Sequence, residues 1–373
     1  MTLDTVLLSA RRLGATDIHF EPFSDRVRIR FRIFGRLSVY AEISPEEYSV
    51  MFNILSAEAN LGLSLSRVYD GSIKRTVDGE PLNIRLSVIP TMFGSKTELR
   101  LMMHDPDIYF AKSAASDKEE YAEISRLFNI TRGLVLLTGP TGSGKTTTLY
   151  SFLKRLNSES RNIVTIEDPV EYLIDGINQT QTDEAKGYTF FEGLKTVLRQ
   201  DPDIIMVGEI RDNETALTAV NAAISGRLVL STLHTGDSVG VVSRLSNMGV
   251  AQYLVMEALA ASVSQRLVNI LCDNCKIRRG HFYEALGCDE CGGTGIARRT
   301  AVYEVYIPTQ ADRDMIFSSS ADSSTCTEML RKSARNAGLV TIGEKVKRLL
   351  YDGKISLSEA VSVGGIEILG QSL

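Results

Sequence analysis

The stretch GPTGSGKT, residues 139–146, lies between the apolar run GLVLLT and the helix-patterned segment TTLYSFLKRL. A glycine-rich loop joining a buried strand to a helix is the start of an α/β sheet with a phosphate cradle at its edge. Gly139, Gly142 and Gly144 let backbone N–H groups turn inward onto phosphate oxygens, and the helix N-terminus adds its partial positive charge. The cradle runs through Gly139, Pro140, Thr141, Gly142, Ser143, Gly144, Lys145, Thr146 and Thr147. Lys145 is expected to reach the β- and γ-phosphates of ATP, and the Thr146 hydroxyl to ligate Mg²⁺. A glycine-rich turn without a ligand would not need the flanking strand and helix.

Three further short apolar runs follow: NIVTIED, DIIMVGE and RLVLSTL, with helical patterns between them. Apolar strands alternating with helices predict a parallel sheet covered on both faces. In such sheets ligands bind at the C-terminal strand ends. Those ends carry Glu167 and Asp168, then Glu209, then His234. An ordinary P-loop ATPase has Asp where Gly208 stands, so metal and attacking water fall to Glu209 or to the Glu167–Asp168 pair. The bland alternatives are solvated turn acids or helix caps, and a structural histidine.

Residues 1–104 read as a separate α+β domain. TDIHFEP and RVRIRFRIFG alternate as strands, SPEEYSVMFNILSAEAN is helical, and Asp78-Gly79 marks a hairpin. Residues 105–118 lose periodicity and read as a linker. The P-loop core is expected over 119–267, a cysteine module over 268–300 and a mostly helical region over 301–373. Net charge is −5, which argues against a generic nucleic-acid binder. No apolar run reaches the roughly 18–20 residues that cross a bilayer. The first residues show no signal-peptide pattern, so a cytoplasmic address with peripheral membrane association is expected.

Four of the five cysteines form two C-x-x-C pairs, Cys272/Cys275 and Cys288/Cys291. This spacing predicts a four-thiolate, structural Zn²⁺ site in a reducing compartment. Reduced thiols in a degenerate site are the alternative. Cys326 stands apart.

Taken together, GPTGSGKTTTLY, TIEDPVEY, LRQDPDIIMVGEIRDNETA and STLHTGDSVGVVSRL resemble the Walker A, Asp-box, Walker B and His-box motifs of type II secretion and type IV pilus assembly ATPases. The resemblance extends back to ATDIHFEP and forward through SVSQRLVNILCDNCK and GCDECGGTGIARR. It implies an N-terminal (PAS-like) α+β domain and a RecA-like core, assembled as a homohexamer. It further implies action on an inner-membrane platform protein and, indirectly, on pilin-like subunits, without direct nucleic-acid binding. It places catalytic duties on Glu167, Glu209 and His234, Mg²⁺ on Thr146 and Glu209, and arginines from the N-terminal domain, Arg85 and Arg100, near the phosphates. Arg67 corresponds less well, because Val68-Tyr69 replace the usual Pro-Gln. Arg227 and Gly236 stand where His and Asn are usual. The chain resembles the short competence-type forms. Retraction ATPases of type IV pili lack the cysteine element, so assembly is the expected direction. Three competitors remain: a retraction motor, a nucleic-acid translocase stimulated by DNA or RNA, and a non-hydrolysing nucleotide switch.

Overall fold

In the computed structural model the chain divides into two compact units, Met1–His104 and Asp105–Leu373. Residues 1–60, 68–102, 118–319 and 321–365 are described. The stretch 105–117, most of the expected linker, lies outside them, as does Arg67.

The first unit contains α1 (Leu3–Arg12), β1 (Asp17–Pro22), β2 (Val27–Ile33), β3 (Arg36–Ile43), α2 (Pro45–Glu58), β4 (Tyr69–Val77), β5 (Glu80–Thr91) and β6 (Gly94–Met102). Among the described residues its strands form one antiparallel sheet in the order β3-β2-β1-β6-β5-β4. Ser44 and Glu47 close a capping box on α2, with Pro45 in the first turn, so this helix starts where its side chains satisfy its free N–H groups. The β4–β5 turn is Asp78-Gly79, with φ of 58° and 80°, the left-handed pair a two-residue hairpin requires. Alternation along β2 buries Val27, Ile29 and Phe31 in a core with Leu7, Phe20, Leu55, Ile84 and Leu99. The other face is charged: Arg28 pairs with Glu42, Arg30 with Glu21 and Arg100 with Asp17. The exposed Arg28–Glu42 pair contributes about 0–1 kcal/mol, whereas Glu21 and Asp17 lie largely out of water beside their arginines.

The second unit contains α3 (Lys118–Arg126), β7 (Gly133–Thr138), α4 (Lys145–Leu156), β8 (Ile163–Glu167), β9 (Asn178–Gln181), α5 (Phe190–Val197), β10 (Ile204–Val207), α6 (Asn213–Ile224), β11 (Leu228–Leu233), α7 (Val241–Asn247), α8 (Gln252–Ala258), β12 (Leu259–Leu271), β13 (Lys276–Arg279), β14 (Phe282–Ala285), β15 (Ile296–Tyr306), α9 (Gln310–Ser318), α10 (Ser323–Asn336), α11 (Ile342–Tyr351) and α12 (Leu357–Gly364). Its main sheet runs β15-β12-β7-β11-β10-β8-β9 among the described residues. Strands β8, β10 and β11 are buried along their whole length, and apolar clusters cover both faces. All neighbours are parallel except β12 and β15, which pair antiparallel.

That hairpin corrects one sequence expectation, since the boundary at residue 267 falls inside β12. The mostly helical region expected over 301–373 opens on the last residues of β15 and continues as α9 to α12. Long pairing between β12 and β15 buries Val263, Val268, Val302 and Val305, which local patterning alone does not distinguish from helix. The cysteine segment is an insertion at the tip of this hairpin, backed by α11 through contact of Phe282 with Tyr351.

Candidate active site

The chain leaves β7 at Thr138 and turns at once into the glycine loop. Gly139 has φ +143°, and a β-carbon there would stand 2.5 Å from the Gln265 carbonyl oxygen and 3.0 Å from Arg266 Nη1. A β-carbon on Gly144, φ +86°, would stand 2.9 Å from Gln265 Nε2. Both positions therefore exclude side chains for lack of space as well as for backbone conformation. Gly144 precedes α4 without a side-chain cap, which leaves the helix N-terminus to an anion.

Lys145 is buried, and its Nζ donates to the carbonyls of Gly139 at 2.8 Å and Pro140 at 3.1 Å. Burial lowers its pKa; Glu209 raises it and Arg266 lowers it further. The lysine is folded back on the carbonyls of its own loop. The Thr146 side chain is exposed at the helix start. With Glu209 it offers the hard oxygen donors that suit Mg²⁺.

Glu209 follows β10 and is largely shielded. One oxygen lies 3.1 Å from His234 Nε2 at the end of β11, and the other accepts from Arg211 Nε at 2.9 Å. Arg211 also reaches Asp168 at 3.5 Å and lies over the Phe190 ring, and its bond to Glu209 raises its pKa. Parallel pairing of β10 with β8 and β11 is what brings Asp168, Glu209 and His234 to one edge.

Glu167 differs. Its carboxylate is buried and accepts from Tyr150 Oη, Thr165 Oγ1 and Gln179 Nε2. Tyr150 Oη in turn accepts from the Glu171 backbone N–H at 3.0 Å, so one phenol ties the phosphate-loop helix to the loop after β8. Burial and the Glu167 carboxylate together push the Tyr150 pKa up. Arg85 and Arg100 lie in the N-terminal unit, directly opposite each other on β5 and β6, both exposed.

Gln265 and Arg266 escaped the motif reading. Gln265 donates to the Ser143 carbonyl and accepts from Thr148 Oγ1, both at 2.8 Å, clamping the glycine loop to its helix. The available signal was a glutamine inside the apolar strand ASVSQRLVNIL, since a polar residue in such a run needs a partner.

At the tip of the β12–β15 hairpin the sulfurs of Cys272, Cys275, Cys288 and Cys291 all lie within 4.8 Å of one another. The 272–288, 275–291 and 288–291 separations are 3.9, 3.8 and 3.8 Å. Thiolates about 2.3 Å from a tetrahedral ion stand about 3.8 Å apart, so the donor set fits Zn²⁺. Backbone N–H groups of Cys288 and Gly295 point at the Cys291 sulfur and hold its thiol down to about 6. Cys326 is buried and apart from this cluster.

Residues 1–361 match the family described as type II/IV secretion system protein. The chain belongs to that family. It is 37% identical over 362 residues to the type II secretion system protein HxcR of Pseudomonas aeruginosa, covering 97% of this chain and 76% of that one. It is 38% identical over 338 residues to the type II secretion system ATPase E of Vibrio cholerae, covering 86% and 67%. The type IV pilus assembly ATPase PilB of Thermus thermophilus is 36% identical over 377 residues, 96% of this chain but 42% of that longer protein. Among solved structures, the pilus retraction motor PilT with bound ADP has a TM-score of 0.68 at 28% identity, covering 97% and 96% of the two chains. The ATPase DotB of Legionella pneumophila, with a TM-score of 0.73 at 23% identity over 96% and 95%, shares the fold. This secretion ATPase is thus an ATP hydrolase of mixed α/β fold with a RecA-like core. Among its described residues no helix is long and apolar enough to cross a membrane.

Proposed function

We propose that this secretion ATPase is a hexameric, Mg²⁺-dependent motor at the cytoplasmic face of the membrane. It acts through an inner-membrane platform protein to assemble a type IV pilus, competence pseudopilus or type II secretion pseudopilus. The observation that carries the reading is Glu209, joined to His234 and Arg211 at the same sheet edge as the lysine of the glycine loop. The loop N–H groups and Lys145 bind the triphosphate. Thr146 and Glu209 would hold Mg²⁺, which when bound supplies charge neutralisation at the phosphates. Glu209, at the sheet edge rather than buried as Glu167 is, takes a proton from the attacking water, and His234 orients against the γ-phosphate. Glu167, engaged on both oxygens, acts as a strut that places the loop after β8 against α4. Arg85 and Arg100 would be delivered by a hinge motion of the N-terminal unit, as moving arginines do in other P-loop enzymes.

The PilT likeness supports retraction as a second reading. The cysteine cluster weighs against it, because the retraction motors that the sequence resembles lack this element. ATP turnover per protomer, measured with Mg²⁺ over a range of protein concentrations, tests the motor. Specific activity that climbs with concentration, together with a nearly inactive Arg85→Ala variant, supports it. A monomeric mass with unchanged activity in the variant overturns it.

A further inference from the structure

Arg266 occupies an unusual place for a cation. It lies on β12, next to the Gln265 that clamps the glycine loop, and it is half-buried. Nη1 donates to the Gln265 carbonyl at 3.0 Å and to Ser264 Oγ at 3.3 Å. Nη2 donates to the Gly236 carbonyl at 2.9 Å, two residues past His234. Among the described residues no carboxylate comes within ion-pair distance of it. The acids that act on it through space are Glu304 and Asp237, and both are engaged elsewhere. Glu304 accepts from Ser238 N–H and Oγ and from Ile342 N–H, while Asp237 is paired with Arg331 at 2.8 Å.

The guanidinium therefore ties the backbone of β12 at Gln265, whose side chain clamps the phosphate loop, to the backbone of the loop that carries His234. On one side it abuts the first glycine of the phosphate loop; on the other it fixes the loop that carries His234. The two loops also meet through Thr138 Oγ1, which accepts from Thr235 N–H at 2.8 Å. A planar fork of donors can hold two such carbonyls at once, which a single ammonium on a flexible stem cannot. We propose that Arg266 is a positioning residue for hydrolysis, setting the distance between the phosphate loop and the His234 loop. The proposal rests on the reading of His234 as the group that meets the γ-phosphate.

The test is a double-substitution cycle in the full-length chain: Arg266→Met, His234→Gln and both together. The readouts are kcat and KM for Mg²⁺-ATP, the Kd of a fluorescent ATP analogue and the melting temperature. Expected is a fall in kcat of about 10- to 100-fold for Arg266→Met, the scale of a misplaced group, with Kd changed less than about threefold. The double variant should be no slower than about half the slower single variant, since both substitutions disable the same loop. If Arg266→Met does not fold, Arg266→Lys carries the test, with kcat reduced and the melt retained. Multiplicative losses in the double variant, with His234→Gln slow on its own, overturn the proposal and leave the reading of His234 intact. A His234→Gln enzyme with normal kcat overturns that reading and the proposal with it. Equal losses in binding, kcat and melting temperature show a structural residue and overturn the proposal.

Discussion

The glycine loop and the cysteine cluster flank the same strand, β12, yet they are built in opposite ways. In the loop the donors are backbone N–H groups, and the one long side chain, Lys145, donates to carbonyls of its own loop. In the cluster four side chains converge on one point, and backbone N–H groups reinforce the thiolate character of Cys291. The first arrangement depends on a backbone conformation that the glycines at 139 and 144 permit. The second depends on four side chains whose sulfurs form a donor set that suits a tetrahedral ion. The two sites differ in whether backbone groups or side chains converge to meet a ligand.

Substitutions that separate the two sites test this contrast. The largest effect is expected from Lys145→Ala, which should lower ATP turnover at least about 100-fold while leaving the melting temperature within a few degrees. A large drop in the melt would mean that the loop, too, is a structural staple. Glu209→Gln should lower kcat by roughly 10²–10⁴-fold with nucleotide binding kept, as loss of a proton acceptor does. Retained turnover would move the base to Glu167. On the other side, replacing Cys288 and Cys291 together by serine should release the metal, measured with a chromogenic chelator, and lower the melting temperature by roughly 5–10 °C. Its nucleotide affinity should hardly change, and a lost affinity would mean that the staple and the cradle act as one site. The smallest effect is expected from Tyr150→Phe, which removes one donor from the buried Glu167 carboxylate. Urea unfolding should show a loss of about 1–3 kcal/mol, and kcat should fall less than in Glu209→Gln.

Several of these groups were legible in the residues themselves. The glycine loop, its lysine, the strand-end acids and the paired cysteines announce themselves because their chemistry needs particular residue types at fixed local spacing. The Asp78-Gly79 hairpin was legible for the same reason, as few residues adopt its backbone. The extent of the sheet was not. Strand β15 is defined by its long-range pairing with β12, a partner that local periodicity cannot name.

Local spacing thus determined a glycine loop at a strand–helix junction and two cysteine pairs at the spacing of metal ligands. Only the tertiary structure decided how the acids divide. Glu167 and Glu209 end neighbouring strands and look equivalent in the sequence. Tyr150, Thr165 and Gln179 fold over one, while His234 and Arg211 hold the other at the edge. That division arises from burial and cross-strand hydrogen bonding among residues far apart in the chain, and so does the placement of Gln265 and Arg266 against the glycine loop more than a hundred positions earlier in the sequence.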